Sequence, residues 1–303
     1  MNDKYKLLGL VFIFAVLILV YIPFNTGFIL YLRSIKLITV ILVGIAISIS
    51  SFVFQTITNN NIITPGIMGF DSLFILIQTI LIFVSFRLLE GIPLLFVSTI
   101  GMLFLSNILF KYVFLNYNLF KALLLGTIMS IMFRSMCSVL HTIMDPNSFD
   151  TIQSVMFTNF NSIDTSILPA SLCLIILSTY RIYENHKELD ILSLGSDISS
   201  GLIDRNKLIM RNIFYISILV AVSTSLVGPI VFIGLFVSNL TRIIFDTYKH
   251  EFLLIASVFI GCNILLLAIY LNDIIFANTN IPILIDGIGA IYFIYLCIKR
   301  SSL

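Results

Sequence analysis

The sequence predicts an all-α polytopic membrane protein that crosses the bilayer about ten times. Of its 303 residues, 59% are hydrophobic and only 11% are charged, and the mean hydropathy is +1.10. A soluble chain of this length needs more charge to cover its surface. The apolar residues form continuous runs of about 20, which is the length that a helix needs to cross the hydrocarbon core, and they do not alternate as in a membrane β-barrel.

The apolar runs give the expected spans in chain order. They lie at 6–24, 36–57, 70–87, 92–113, 119–143, 167–183, 208–226, 229–246, 251–271 and 281–299. Gly234 interrupts the eighth run early, so that span is expected to be short or broken. Two longer polar stretches remain, 144–166 and 184–207, and no soluble domain fits in either. The sequence therefore predicts a single transmembrane domain over 1–303.

The distribution of Lys and Arg predicts the orientation, because cytoplasmic loops carry an excess of both. With both termini in the cytoplasm, the outer side receives Arg33, Lys36 and Arg87. The inner side receives thirteen, namely Lys4, Lys6, Lys111, Lys121, Arg181, Lys187, Arg205, Lys207, Arg211, Arg242, Lys249, Lys299 and Arg300. Loop 144–166 then lies outside the cell and the stretch 184–207 lies inside.

Residues 54–70, FQTITNNNIITPGIMGF, join the second and third spans without a single charge. Asparagine amides can pair with the exposed polar groups of helix ends, and Pro65 and Gly66 stop a helix from continuing. An unpaired charge is costly inside a protein. A polar but uncharged composition is what a turn buried in protein would require, and the orientation places this turn on the cytoplasmic side.

The stretch 184–207, ENHKELDILSLGSDISSGLIDRNK, has apolar residues at helical spacing on both sides of Gly195. This pattern predicts two short amphipathic helices hinged at Gly195, with Ser196 as the cap of the second. Short helices beneath a membrane bundle suit docking to a cytoplasmic partner. A connector that lies on the membrane surface is the alternative.

Several functions lack their sequence motifs. The chain has no G-x-x-x-x-G-K-[ST] loop, so it is not expected to bind ATP itself, and it has no H-E-x-x-H. Its four cysteines lie far apart, and no metal-ligand cluster is found. Neither catalysis nor a resident cofactor or metal is expected. The one acid clearly inside a span is Asp286, which disfavours ion-driven transport without excluding it.

The fifth span carries an intramembrane cation, Arg134. Ser130, Cys137, Ser138 and His141 lie at i−4, i+3, i+4 and i+7 from it and share its helical face. A polar stripe on a membrane helix faces protein or a water-filled path. Arg134 therefore either lines such a path or pairs with buried carbonyl groups or Asp286 as a structural residue.

Three segments match patterns that occur together. Residues 55–69 resemble Q-x-x-T-R-N-P-L-A-x-P-x-x-L-G, with agreement at Gln55, Thr58, Asn60, Pro65 and Gly69 and departures at Asn59, Asn61 and Ile63. Residues 194–203 resemble L-G-x-x-x-A-x-x-L-G. Residues 228–242 resemble G-P-I-x-F-V-G-L-x-x-P-H-x-x-R, with Ser238 and Asn239 in place of Pro and His. The segments LRSIK, at 32–36, and IPILIDGIGAIYF, near the C-terminus, look like two further patterns.

In this order, and over essentially the whole chain, the patterns resemble those of the FecCD-type permeases of ABC importers, which carry iron chelates, haem and cobalamin. The stretch DPNSFDTIQSVMFTNFN further resembles the branch that takes up ferric siderophores of catecholate type. A haem or cobalamin permease of the same family is the alternative, and an ion-coupled secondary transporter is a more distant one.

The resemblance implies a permease subunit in the bacterial cytoplasmic membrane, surrounded by lipid. It would pair with a second permease chain, identical or different, and a cytoplasmic ATPase dimer would bind the ATP. An extracellular siderophore-binding lipoprotein would deliver the substrate, and no nucleic acid is expected as a partner.

The resemblance also implies roles for individual residues. The inner gate turn would use Gln55, Asn60, Pro65 and Gly69. The fifth span would line the translocation path with Ser130, Arg134, Ser138 and His141, where Arg134 would offset the charge of an anionic chelate. Arg33 and Lys36 would dock the binding protein, unless they only snorkel to the interface. ATPase coupling would fall to Leu194, Gly195, Asp197, Ser199, Ser200 and Gly201.

Overall fold

The computed structural model describes residues 3–22, 27–85, 91–108, 119–156, 160 and 163–274, and this part of the chain is helical without a strand. The helices are α1 (Asp3–Tyr21), α2 (Phe28–Ile57), α3 (Phe70–Ser85), α4 (Gly91–Ile108), α5 (Leu119–Ile143), α6 (Pro146–Met156), α7 (Leu168–Glu184), α8 (His186–Leu192), α9 (Ser196–Leu202), α10 (Arg205–Val227), α11 (Ile233–Ile244) and α12 (His250–Ile274). A 3₁₀ turn, Thr165–Ile167, precedes α7.

The predicted all-helical membrane class is confirmed. Within the described ranges, seven helices are long and apolar enough to cross a membrane, and α3 and α11 are shorter apolar helices. α11 is as short as the early Gly234 predicts, because residues 228–232 before it are not helical. The expected tenth span, 281–299, lies outside the described residues together with Asp286 and the C-terminal pattern.

The start of α2 differs from the sequence prediction. The helix begins at Phe28 and not at 36, so Arg33 and Lys36 lie within its first turns. Charged side chains end an apolar run but do not end a helix, since both have good helix propensity. A span limit deduced from hydropathy therefore marks where charges begin and not where the backbone changes conformation.

α2 and α10 form the centre of the bundle. In each, 78% of the span is buried inside the chain, against 6% for α1 and 17% for α5. α2 packs on α10, α11 and α12, while α10 also contacts α4 and α7. α3 pairs with α5, and α1 packs on α12. The outer faces of α1 and α5 are thus left for lipid or for other chains.

Small residues let α2 approach α11 and α12 closely. The contacts pair Gly44 with Cys262, Ser48 with Gly261 and Ser51 with Gly234. A methyl group added to Gly234 would lie 1.9 Å from the Ser51 hydroxyl oxygen and 2.7 Å from its Cβ. A methyl group added to Gly44 would lie 2.7 Å from the Cys262 sulfur and 3.2 Å from its Cα. These three helices are therefore packed without clearance at the glycine positions.

Candidate functional site

The turn 58–69 between α2 and α3 is held by local hydrogen bonds. The Asn60 side chain accepts from the Ile62 amide at 2.9 Å, and the Asn60 amide donates to the Gln55 carbonyl at 3.1 Å. Asn59 at φ +46° and Gly69 at φ +99° take left-handed conformations that Asn tolerates and Gly adopts freely. The asparagines and the second glycine thus serve the backbone of the turn.

The same turn is buried on one side. Ile63, Thr64 and Pro65 are buried, whereas Asn59 is exposed. The Asn239 side chain of α11 donates to the Asn61 carbonyl at 2.8 Å and so ties the turn to α11. Asn239 stands where the family pattern has His, and an amide supplies the same kind of donor. The uncharged composition fits this partly buried turn, and its contact with α11 is a finding of the structure.

Gln55, one of the expected gate residues, is completely enclosed. Its side chain is 1% exposed, and neither amide atom has a hydrogen-bond partner among the described residues. Burying an amide without a hydrogen-bond partner costs free energy. The local hydrogen bonds of the turn therefore do not explain why a glutamine stands at this position.

The stretch 184–207 contains the two short helices that its pattern predicts, α8 and α9. Gly195 separates them at φ +100° and ψ 169°, a backbone conformation that is essentially limited to glycine. The expected cap at Ser196 is wrong, because Gly195 occupies the N-cap position and Ser196 is already the first helical residue. The side chain of Asp197 lies outside the described residues.

The outer face of this pair of helices is apolar and open. Leu194, Ile198 and Leu202 are each more than half exposed, whereas Ser199 is completely buried. Ser200 and Gly201 are exposed. α8 is anchored on its other side, where Leu189 and Leu192 are buried and Glu188 forms an ion pair with Arg211 of α10. α8 is thus fixed to the bundle on one side while three apolar side chains stay exposed on the other, and docking to a cytoplasmic partner there stays a prediction.

A polar cluster, which we call the Asp190 chain, joins α8 to α2. It consists of Asp190, His250 and Thr56. The Asp190 carboxylate accepts from both the His250 backbone amide and its Nδ1, each at 2.7 Å. The other ring nitrogen, Nε2, lies 3.0 Å from the Thr56 hydroxyl. His250 is 1% exposed, and its ring packs edge-on against Phe52.

Arg242 of α11 completes the surroundings of this cluster. Its guanidinium donates to the Thr56 hydroxyl at 3.4 Å and lies 4.4 Å from the centre of the Phe52 ring. Arg242 is the arginine of the pattern at 228–242. The sequence gives no hint of the cluster, because Asp190 and Thr56 lie 60 and 194 residues away from His250 along the chain.

The polar stripe of α5 packs mainly against α3. The Ser130 hydroxyl lies 2.8 Å from that of Ser72, and the Arg134 Nε donates to the same Ser72 hydroxyl at 3.2 Å. His141 lies 3.5 Å from the Thr79 hydroxyl. Arg134 remains partly outside this contact, since its side chain is exposed, and Ser138 is exposed as well.

Comparison with known proteins identifies the chain's family. The model of the FecCD transport family matches residues 7–299. The chain belongs to this family. The resemblance deduced from the sequence patterns is thereby confirmed.

Two curated relatives match this FecCD chain over most of their length. The chain is 37% identical to the petrobactin import system permease protein YclO of Bacillus subtilis, over 98% of this chain and 96% of the relative. It is 29% identical to the corresponding protein FatC of Bacillus anthracis, over 89% and 79%. A metal-chelate type ABC transporter solved in an inward-facing conformation superposes with a TM-score of 0.83 at 22% identity, covering 98% of this chain and 99% of that one. At that identity the likeness concerns the fold.

The FecCD chain also has a small polar cavity beside the turn. It has a volume of about 20 Å³, which is room for about one water molecule. Its polar lining consists of Ser50, Ser51, Thr64, Asp71, Ser223 and Thr224, from α2, the turn, α3 and α10. Asp71 is only 4% exposed. The sequence places this carboxylate at a span end, and hydropathy gives no sign that it is enclosed.

Arg33 and Lys36 of the FecCD chain contact neighbouring helices. Arg33 donates to the Tyr21 carbonyl at 3.1 Å, and Lys36 lies 3.6 Å from the Asp273 carboxylate. The Tyr21 hydroxyl donates to the same carboxylate at 3.3 Å. These contacts join α1, α2 and α12 at one end of the bundle. Docking of a binding protein there stays a prediction.

Proposed function

We propose that this chain is the permease subunit of an ABC importer that moves an iron(III)–siderophore complex across the bacterial cytoplasmic membrane. The main support for this proposal is the FecCD match over residues 7–299, together with 37% identity to a petrobactin import permease over nearly the whole length. FatC carries the same substrate in its name. We infer a siderophore of the petrobactin class as the substrate.

The ATP that drives import is hydrolysed on a separate subunit in this proposal. The sequence lacks a nucleotide-binding loop, and the apolar face of Leu194, Ile198 and Leu202 offers a docking surface for such a subunit. The partners are an ATPase dimer, a second permease chain and an extracellular siderophore-binding lipoprotein. The exposed faces of α1 and α5 are available to lipid and to the second permease chain.

The proposed orientation has both termini in the cytoplasm. It rests on the excess of Lys and Arg on that side. The structure supports its consistency, because the Asp190 chain puts α8 and the end of α2 at the same end of the bundle. If the coupling segment is cytoplasmic, the gate turn must therefore lie on the cytoplasmic side as well.

Import by the reconstituted complex tests the proposal. The chain, its neighbouring permease and the ATPase would be placed in liposomes, with the binding protein and ATP supplied. Uptake of ferric petrobactin, haem and cobalamin would be compared in the same vesicles. We expect uptake of the ferric siderophore that stops when the ATPase nucleotide-loop lysine is replaced and continues when ion gradients are dissipated.

Each alternative predicts a different result in this experiment. Preferential uptake of haem or cobalamin would identify another substrate within the family. Uptake that needs an ion gradient and no ATP would identify a secondary transporter, and would overturn the proposal.

A further inference from the structure

The Asp190 chain links the coupling helices to the membrane core through hydrogen bonds that are largely shielded from water. Asp190 projects from α8, His250 is the first residue of α12, and Thr56 lies in the last turn of α2. The two His250 contacts to the carboxylate are each 2.7 Å long, and the contact to Thr56 is 3.0 Å. Three elements that are distant in sequence therefore meet through one imidazole ring.

Asp190 also caps α12 from another helix. Its carboxylate accepts from the backbone amide of His250 at the N-terminus of α12, where helix amides lack partners and the helix dipole favours a negative charge. A hydrogen bond to an ionised acceptor is short and strong. A displacement of Asp190 therefore acts on the end of α12 as well as on the imidazole ring.

Thr56 carries the connection onward to the gate turn. Its hydroxyl lies 3.1 Å from the Phe52 carbonyl and 3.0 Å from His250 Nε2, either of which can accept its single proton, and it accepts from Arg242 at 3.4 Å. Thr56 precedes the turn 58–69 by two positions, and the Asn59 amide donates to the Thr56 carbonyl at 3.1 Å. The Asp190 chain thus ends where α2 gives way to the turn.

The other contacts between α8 and the bundle, among the described residues, are either apolar or open to water. Leu189 and Leu192 pack into the core, and dispersion contacts hold helices together while allowing them to slide. The ion pair of Glu188 with Arg211 leaves both side chains about 40% exposed or more, so water screens it. Hydrogen bonds lose strength steeply with distance and angle, so a buried row of them resists sliding.

We propose that Asp190, His250 and Thr56 are positioning residues that transmit movement of the coupling helices α8 and α9 to the gate turn. The inference rests on the proposed function. When ATP binding moves α8, the Asp190 chain would transmit the displacement to the C-terminal end of α2. That displacement would change the conformation of the turn 58–69. Breaking the Asp190 chain by substitution should leave ATP hydrolysis active, while import of the siderophore falls.

The test uses Thr56→Val, which is nearly isosteric and removes the hydroxyl from the middle of the contact network. In the reconstituted complex, substrate imported per ATP hydrolysed should fall on the order of 10-fold, as expected for the loss of a typical coupling between two sites. Thr56→Ser retains the hydroxyl and should restore the ratio. Thr39→Val is the matched control, because Thr39 is buried in the same helix and, within the part of the chain that the structure describes, its hydroxyl bonds only the Ile35 carbonyl of its own helix.

A second variant cuts the Asp190 chain at its other end, with thermal unfolding of each variant complex as the measure of assembly. Asp190→Ala breaks the opposite end of the Asp190 chain at a partly exposed position, and it should lower the ratio as Thr56→Val does. The double variant should be no worse than the single variants, because both changes cut one connection. The proposal is overturned if the wild-type complex imports the siderophore and both single variants keep its ratio of import to hydrolysis, or if their effects add. Failure of the wild-type complex to import would instead reject the proposed function.

Discussion

Arg134 is a cation placed deep in a membrane helix beside a neutral hydroxyl. Its Nε donates to Ser72, and its side chain remains exposed at the surface of the chain. A cation on a membrane helix is costly unless it meets protein or water. The exposed side chain of Arg134 therefore agrees with a path lined by α5, while its contact with Ser72 agrees with the structural interpretation.

The two interpretations of Arg134 predict different transport data. Arg134→Gln should slow the uptake of anionic chelates at least several-fold more than that of neutral ones, because a cation lowers the barrier only for a negative substrate. Uptake rates of both chelates in liposomes, with thermal unfolding of the complex as the measure of assembly, provide the check. Arg181→Gln is the matched control, since Arg181 is exposed and its only ion pair among the described residues is with Glu184. Equal slowing of both chelates in an intact complex would rule out the electrostatic role.

At the scale of elements, Gly195 sets the angle between α8 and α9. Its φ of +100° is strained for any residue with a side chain, although nothing lies within 4 Å of an added Cβ. The conformation, and not the available space, therefore selects glycine at this position.

Replacing Gly195 tests that angle. Gly195→Val should cost about 1–3 kcal/mol in backbone strain, and α9 should reorient to relieve it. Siderophore delivery should persist while import coupled to ATP hydrolysis is lost. The measurements are binding-protein affinity and import per ATP in liposomes. Gly9→Val serves as the control, because Gly9 also has open space around it but ordinary helical φ. Normal import by the Gly195 variant would show that the hinge angle is irrelevant to coupling.

The contact between α2 and α11 allows a stability test with its own rescue. Gly234→Ala should destabilise the protein by about 1–3 kcal/mol, because the added methyl overpacks against Ser51. Adding Ser51→Gly removes the obstructing atoms and should recover part of the loss. Thermal unfolding in detergent measures both. If Gly234→Ala melts like the wild type, the two helices have room for the added methyl group and the contact is not tight.

Elements were predictable from the sequence wherever one local pattern determines them. Long apolar runs predict α2, α10 and α12, and the apolar spacing around Gly195 predicts α8 and α9. The start of α2 was missed, because hydropathy records charge and not backbone conformation. The Asp190 chain was missed for a different reason. Asp190 and Thr56 look like ordinary polar residues until folding brings them to His250, and no local pattern encodes a contact across 194 positions.

At the scale of the whole molecule, Arg33 and Lys36 separate docking from internal stability. Lys36 lies 3.6 Å from Asp273, and both side chains are mostly buried, whereas the contacts of Arg33 are to the Tyr21 carbonyl and ring. The sequence pattern groups the two cations as one docking pair. Their contacts indicate that loss of Arg33 should affect binding-protein affinity and that loss of Lys36 should affect stability.

Charge reversal at each position makes that difference measurable. Arg33→Glu should weaken the affinity for the binding protein, more strongly at low salt, because surface ion pairs are screened. Lys36→Glu should instead lower the melting temperature by placing two carboxylates together, and Asp273→Lys in the same chain should restore it. Unchanged affinity of the Arg33 variant at low salt would exclude it from docking.

The tight pairing of Gly44 with Cys262, Ser48 with Gly261 and Ser51 with Gly234 has a consequence for how this chain can diverge. Where an added Cβ would meet the backbone or the Cβ of its neighbour, neither partner can accept a larger side chain alone. Substitutions at these positions should therefore be inherited in pairs, with one residue shrinking as the other grows. Among related permeases, the residues facing one another across α2, α11 and α12 should show a nearly constant summed volume, even where their identities have drifted apart.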